Sequence, residues 1–143
     1  MFRSGLTLPP HPASYKLSSA LAVVVVCAMA WPVYSDHLKH TRRAVVRDAL
    51  LHAAQWMDRT ATARGGYPPA AAVPVEVLHV EGGHYVMTVF SNDGVTYTLT
   101  AMPNAAQSGD LCGAYRINQA GTRVQLATAE VPKPLSSAEC WSP

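Results

Sequence analysis

Apolar residues are distributed in three ways along this chain, and each distribution predicts a different kind of structure. From Leu17 to Val33 they form a nearly unbroken run without a charged side chain. From Ser35 to Thr60 they recur every three or four positions, which is the period of an amphipathic helix. After Gly65-Gly66 the pattern changes to short alternating runs, which are typical of strands. The sequence therefore predicts a helical first half and a β-rich second half.

The uncharged run at 17–33 is the most apolar part of the chain, and three interpretations fit it. Its length lies at the lower limit for a helix that crosses a bilayer, so it would serve as a retained membrane anchor. Alternatively, it is a secretory signal cleaved near Ala28-Met29-Ala30, or a buried core helix. Arg3 and Lys16 before the run favour a cytoplasmic N-terminus, although cations also follow it closely. We favour the retained anchor.

The stretch from Ser35 to Thr60 contains no glycine or proline and carries a helical stripe of apolar residues. The stripe consists of Leu38, Val45, Val46, Ala49, Leu50, Ala53, Trp56 and Met57. Most charged side chains fall off this stripe, so one face would pack on a sheet and the other would contact solvent. Gly65-Gly66 ends the pattern where a helix cap is expected. If the helix continues from the apolar run, Pro32 would kink it.

Strand-like runs follow the helix and predict an antiparallel sheet. The runs are His84–Phe90, Val95–Ala101, Ala114–Asn118 and Thr122–Leu126, with a weaker candidate at Val75–Val80. Asp93-Gly94 is a strong hairpin signal between the first two runs, and Gln119-Ala-Gly121 separates the last two. The tail from Ala127 to Pro143 is predicted to be a loop. One helix followed by two hairpins indicates the α+β class, with the sheet packed on the helix.

Composition limits the kinds of function that this chain can have. Charged residues make up only 14% of the chain and apolar residues 49%, which suggests that some surface is buried against lipid or other molecules. The net charge of +2 is a weak footprint for a nucleic-acid binder. The sequence contains no Gly-x-Ser-x-Gly motif, glycine-rich phosphate loop or metal-ligand spacing. It therefore predicts no enzyme activity, no catalytic or metal site and no cofactor.

Two of the three cysteines lie in the predicted β-rich half. Cys27 lies inside the apolar run, whereas Cys112 and Cys140 are flanked by polar and loop-forming residues. If this half is exported, Cys112 and Cys140 would pair and close a loop of roughly thirty residues, which the chain-entropy account credits with about 3–4 kcal/mol. In a cytoplasmic protein both would stay free thiols.

Several short segments resemble the conserved pattern of PilE-like type IV pilins, in the same order. They are Trp31–Leu38, Arg42-Arg43, Ala49–Met57, Gly66-Tyr67-Pro68, Tyr97–Ala101, Gln107–Gly113, Asn118 with Gly121, and Cys140-Trp141. In the family these positions read Y-P-x-Y-x-D-Y-V, R-R, A-L-L-x-A-A-Q-W-M-E-R, G-x-Y-P, Y-T-L-T-A, Q-x-x-D-x-C-G, N-x-x-G and C-W. The resemblance covers roughly Trp31 to Trp141.

This resemblance implies a pilin-like fold and a function in assembly. The fold would be a long N-terminal helix, membrane-embedded in its first half, packed on a four-stranded antiparallel sheet, with a C-terminal loop bounded by a disulfide between Cys112 and Cys140. The subunit would wait in the inner membrane as a single-pass protein with a periplasmic C-terminal domain. The assembly machinery would then draw it into an extracellular pilus, where N-terminal helices of neighbouring pilin subunits bundle together.

The N-terminus departs from the pilin pattern. Arg3–Leu8 resembles the basic leader and its cleavage site, so prepilin peptidase would cut between Gly5 and Leu6 and the new N-terminus would be methylated. The family then continues with Ile-Glu-Leu, but this chain has a proline-rich stretch instead. The expected glutamate position falls on Pro10, or on Tyr15 if it is counted back from Pro32. The carboxylate that is thought to pair with a neighbouring N-terminus is therefore missing. Either assembly is weakened, or the subunit is a rare one at the filament tip, or the chain is a degenerate copy, or its start site is wrongly assigned.

The resemblance implies a minor pilin of a type IV pilus, for adhesion, motility or DNA uptake. One alternative is a DNA-binding pilin that uses Arg116, Arg123 and Lys133 as a basic patch, and another is a type II secretion pseudopilin. The expected organisation is a leader-like segment at 1–16, a transmembrane segment at 17–33, an amphipathic helix at 34–64 and a pilin-type sheet domain at 65–143.

Overall fold

The computed structural model describes the backbone of residues 14–142 and the side chains of residues 21–25 and 34–142. The chain divides into two compact units, residues 1–37 and residues 38–143. The regular elements are α1 (Ser14–Arg64), β1 (Tyr85–Phe90), β2 (Thr98–Pro103), β3 (Ala114–Asn118), β4 (Arg123–Leu126) and α2 (Ser137–Trp141), with short 3₁₀ turns at Ala70–Ala72 and Glu81–Gly83. The α+β class is confirmed.

The C-terminal end of α1 lies where the glycines predict it. Gly65 adopts a left-handed conformation with φ of 83°, and its N–H donates to the carbonyl of Ala61 at 2.8 Å. This geometry caps the last helical turn at a residue type that reaches positive φ without a steric penalty. In the described part of the chain, no helix combines the length and mean hydropathy of a membrane span.

The core of the second unit forms between one face of α1 and the inner face of the sheet. The helix contributes Val46, Leu50, Ala53 and Met57, and the sheet contributes Tyr85, Met87, Leu99, Ala101, Tyr115 and Ile117. These helical residues belong to the apolar stripe that the sequence predicts. Burying each large aliphatic side chain stabilises the fold by about 1.5–3 kcal/mol, so this layer is the main source of stability.

The sheet is an antiparallel meander in the order β1-β2-β3-β4. Leu99 lies between Val89 on β1 and Ile117 on β3, and Arg116 pairs with Val124 on the edge strand β4. The four-stranded sheet and both hairpins are confirmed. Because side chains alternate between the two faces of a strand, this register also decides which cations share a face.

Three local predictions are wrong. Val75–Val80 forms successive turns, beginning with a 3.1 Å bond from Val77 N–H to Pro74 C=O, because its alternation has no strand to pair with. The first hairpin has a long loop because Asp93 accepts hydrogen bonds from the N–H groups of Val95 and Thr96, at 2.9 and 2.7 Å, and β2 begins only at Thr98. The tail contains the short helix α2 rather than loop alone.

Gly113 occupies a position that no other residue type could fill without a local shift. Its φ is 59°, and a Cβ placed on it would lie 2.5 Å from the carbonyl oxygen of Leu126. Gly113→Ala should therefore lower the free energy of unfolding by about 1–3 kcal/mol, through backbone strain and displacement of β4. Urea denaturation of the two proteins checks this result. Gly121→Ala is the matched control, because Gly121 also has positive φ but nothing lies within 4 Å of its Cβ position. An equal loss in both variants would contradict the contact with Leu126.

Candidate functional site

A buried ion pair joins α1 to the loop that precedes β3. Arg43 Nε donates to both carboxylate oxygens of Asp110, at 2.9 and 3.0 Å, and Arg43 Nη2 also bonds Asp110 Oδ1. The Asp110 side chain is fully buried and that of Arg43 is 13% exposed. A carboxylate that is buried away from water needs a positively charged partner, so this ion pair holds the loop against the helix.

Further donors complete the environment of Asp110. Its Oδ2 accepts from Gln107 Nε2 at 2.8 Å and from the Tyr85 hydroxyl at 3.2 Å, and its Oδ1 accepts from the Cys112 N–H at 3.2 Å. We call Arg43, Tyr85, Gln107 and Asp110 the Arg43 clasp. Burial raises the pKa of Asp110, but the Arg43 guanidinium and these hydrogen bonds outweigh burial and hold its pKa below the ordinary value.

The disulfide lies directly beside the clasp. Cys112 and Cys140 are bonded, with their Cα atoms 5.7 Å apart and a sequence separation of 28, and both residues are buried. The bond holds the tail against the sheet, where the Trp141 ring packs edge-on against Tyr115 at 5.5 Å. The predicted pairing is confirmed by the structure. The clasp itself was not predicted, although Arg43, Gln107 and Asp110 all occur in the motif segments.

The cations proposed as a nucleic-acid patch do not lie together. Arg116 is cross-strand neighbour to Val124, whereas Arg123 is neighbour to Ile117, so the two arginines project from opposite faces of the sheet. Arg116 Nε donates to Thr100 Oγ1 at 3.3 Å on the outer face. Arg123 lies on the α1 side, and Lys133 is exposed in the tail. Contact of any of the three with nucleic acid stays a prediction.

Two neighbouring cavities form a groove between α1 and the C-terminal segment, which we call the basic groove. The larger has a volume of about 400 Å³ and is lined by His40, Thr41, Arg43, Ala44, Arg47, Glu139, Cys140 and Ser142. The smaller has a volume of about 170 Å³ and is lined by Arg47, Asp48, Leu51, Arg123 and Trp141. Arg47 lines both. Within residues 21–25 and 34–142, no three histidine, cysteine or carboxylate groups are placed to hold a metal ion.

The first unit carries exposed aliphatic side chains on its helix. Leu21, Val23 and Val24 are 68%, 61% and 64% exposed, and Val25 is 44% exposed. Side chains of this kind gain about 25 cal/mol for each Å² of apolar surface removed from water. This unit is therefore a candidate surface for association. The predicted cleavage site at Gly5 and Leu6 lies outside the described residues.

The long helix, the four-stranded antiparallel meander and the C-terminal disulfide together define a type IV pilin fold. Residues 32–116 match the family described as "Type IV minor pilin ComP, DNA uptake sequence receptor", and the chain belongs to this family. None of the curated proteins is similar enough to this chain to count as a match.

Two solved pilin structures resemble the chain. A type IV pilin from Shewanella oneidensis is 26% identical, with a TM-score of 0.51 over 60% of this chain and 90% of that one. The non-core minor pilin PilV from Neisseria meningitidis is also 26% identical, with a TM-score of 0.52 over 65% of this chain and 91% of that one. The chain is therefore a type IV pilin, a structural subunit that associates with other pilin subunits.

Proposed function

We propose that this pilin is a minor subunit that enters the filament through the first half of α1. The exposed aliphatic residues at 21–25 carry the proposal, because a helix with such side chains on its surface gains stability when lipid or other helices cover them. Before assembly, this segment would lie in the inner membrane, with the disulfide-bearing unit in the periplasm. The pilus assembly machinery would then transfer the subunit, after prepilin peptidase cleavage between Gly5 and Leu6.

A charge placed in the exposed aliphatic segment should block assembly. Val24→Asp should reduce recovery of the full chain in sheared filaments by at least about tenfold, because burying an unpaired carboxylate among helices or lipid costs several kcal/mol. The control is Val75→Asp, since Val75 is an equally apolar residue, 74% exposed, in the second unit. Immunoblots of sheared filaments and whole cells measure both variants. Equal filament recovery of the two variants would contradict assembly through this segment.

DNA binding is the second candidate function, and the family match favours it. The matching family is described as a DNA uptake sequence receptor, and the match extends over 32–116, through most of the sheet. Exposed cations are present at Arg116, Arg123 and Lys133, and phosphate contacts supply most of the affinity of proteins for DNA. A pilus subunit with such an activity would capture DNA at the filament and serve its uptake.

Charge reversal tests this second function. The full chain should retard duplex DNA at low salt, and the complex should weaken as salt rises. Arg116→Glu, Arg123→Glu and Lys133→Glu combined should abolish the shift. Arg59→Glu reverses one charge on the exposed side of α1, where Arg59 donates to the Gln55 carbonyl at 3.3 Å. It is the matched control for each single reversal and should leave most of the shift intact. Absence of any shift at low salt would refute DNA binding.

A further inference from the structure

The smaller cavity of the basic groove has the chemistry of an anion site. Arg47 from α1 and Arg123 from the edge strand β4 both line it, beside the Trp141 ring and the apolar side chain of Leu51. Two guanidinium groups on the walls of one small cavity favour a ligand with several acceptor oxygens, because guanidinium donors match the geometry of phosphate and carboxylate.

Arg123 is held in place without using its hydrogen-bond donors. Its guanidinium carbon lies 5.1 Å from the centre of the Trp141 ring, in a cation–π arrangement. The ring is fixed in turn by a 2.9 Å hydrogen bond from Trp141 Nε1 to Gln125 Oε1 and by its edge-on contact with Tyr115. Among the described residues, no carboxylate or carbonyl accepts from Arg123. The site therefore presents an oriented cation whose donors are available to a ligand.

Arg47 is only partly satisfied by the protein. Its Nη1 donates to the carbonyls of Cys140, at 3.3 Å, and Ser142. Its remaining donors have no acceptor in the part of the chain that the structure describes. Arg47 therefore has donors available to a ligand in the smaller cavity.

The smaller cavity of the basic groove has an excess of positive charge, whereas the larger one does not. Asp48 lines the smaller cavity and opposes an anion there. Glu139 lines the larger one and opposes an anion there, because hydrogen bonds from the Ser136 N–H, at 3.0 Å, and the Ser136 hydroxyl, at 2.6 Å, favour its ionised form and lower its pKa. Arg43 is neutralised by Asp110, so the smaller cavity keeps two guanidinium groups, those of Arg47 and Arg123, against the single carboxylate of Asp48. A phosphate group, with its several acceptor oxygens, fits a cavity of this sign.

We propose that Arg47 and Arg123 form a subsite for a backbone phosphate of DNA in the smaller cavity of the basic groove. This inference rests on the proposed DNA binding and gives it a location on the α1 side of β4. Arg116, on the outer face of the sheet, lies outside this subsite.

Titration of duplex DNA with the full chain and single-charge variants tests the subsite. Arg123→Gln should weaken binding about threefold or more and reduce the slope of log affinity against log salt by about one, because one phosphate contact is lost. Arg47→Gln should act alike. Asp48→Asn should strengthen binding, since it removes the opposing charge from the cavity. Arg59→Gln changes the net charge equally and should leave the salt slope unchanged.

The outcomes separate the subsite from the wider function. If the unaltered chain binds DNA and Arg123→Gln weakens binding no more than Arg59→Gln does, the subsite is overturned but DNA binding stands. An absence of binding by the unaltered chain would remove both. If the Arg123→Gln variant binds DNA normally but is absent from sheared filaments, the groove contacts a neighbouring subunit and the subsite is overturned. Thermal denaturation of each variant identifies any loss of fold. Asp48→Asn is expected to raise the affinity for DNA, and unfolding would not produce such an increase.

Discussion

Replacing Cys112 and Cys140 together by alanine should lower the free energy of unfolding by about 2–5 kcal/mol. The bond closes a loop with a sequence separation of 28, and its loss frees the unfolded chain to adopt many more conformations. It also releases the tail, whose helix α2 consists of five residues and is too short to be stable by itself. The second unit should therefore lose its C-terminal packing first.

Urea denaturation of the full chain, with and without reductant, measures this effect. Reductant should move the midpoint of the unaltered protein down to that of the double-alanine variant and should not change the variant itself. That comparison removes any general effect of the reductant. An unaltered protein that keeps its midpoint after complete reduction would show that the tail is held by packing alone.

Asp110→Ala should destabilise the second unit by about 3–5 kcal/mol, because it leaves the Arg43 guanidinium partly buried without a counter-charge. The change also removes the acceptor of Tyr85 and of the Gln107 amide. Asp48→Ala is the matched control on α1, where the exposed carboxylate has no such partners and the expected change is within about 0.5 kcal/mol. Urea midpoints compare the two variants, and equal midpoints would contradict the importance of the clasp.

The same carboxylate makes stability depend on pH. The pKa of Asp110 is lower in the folded protein than its ordinary value, so the folded state binds its proton less readily than the unfolded state does. Its contribution is fully present above about pH 4 and is lost as the pH falls through the depressed folded pKa. Asp110→Asn should flatten the acid side of the stability profile. A profile that keeps its full acid slope in this variant would assign the slope to other carboxylates.

Periodicity predicted the elements that have a strong local cause. The helix stripe around Leu50 has a 3.6-residue period, and glycine supplies the cap at Gly65. Alternation in Ala114–Asn118 matches β3 to the residue. The same alternation failed at Val75–Val80, because a strand also needs a neighbour with free hydrogen-bonding groups, which a local pattern does not report. Helix α2 was missed because its signal is a single capping box, formed by Ser136 and Glu139.

Local sequence patterns predict side-chain contacts at the sites less well than they predict helices and strands. The chain has only three cysteines, so Cys112 and Cys140 could be paired from the sequence. The partners Arg43 and Asp110 are 67 positions apart, and their spacing contains no information on contact. Arg116 and Arg123 appeared to form one patch because both lie in a hairpin, yet the register of β3 and β4 separates them. Arg47 was not selected, since only the packing of the tail on α1 makes it a wall of the groove.

Peptide mass spectrometry of sheared, purified filaments tests the central claim, assembly into a pilus, most directly. Trypsin should release the segment 65–116 joined by the Cys112–Cys140 bond to the segment 124–143, because the Lys133-Pro134 bond resists cleavage. We expect this linked pair in the filament fraction, in small amount relative to a major subunit. Recovery of the linked pair from cell extracts and never from filaments would contradict it.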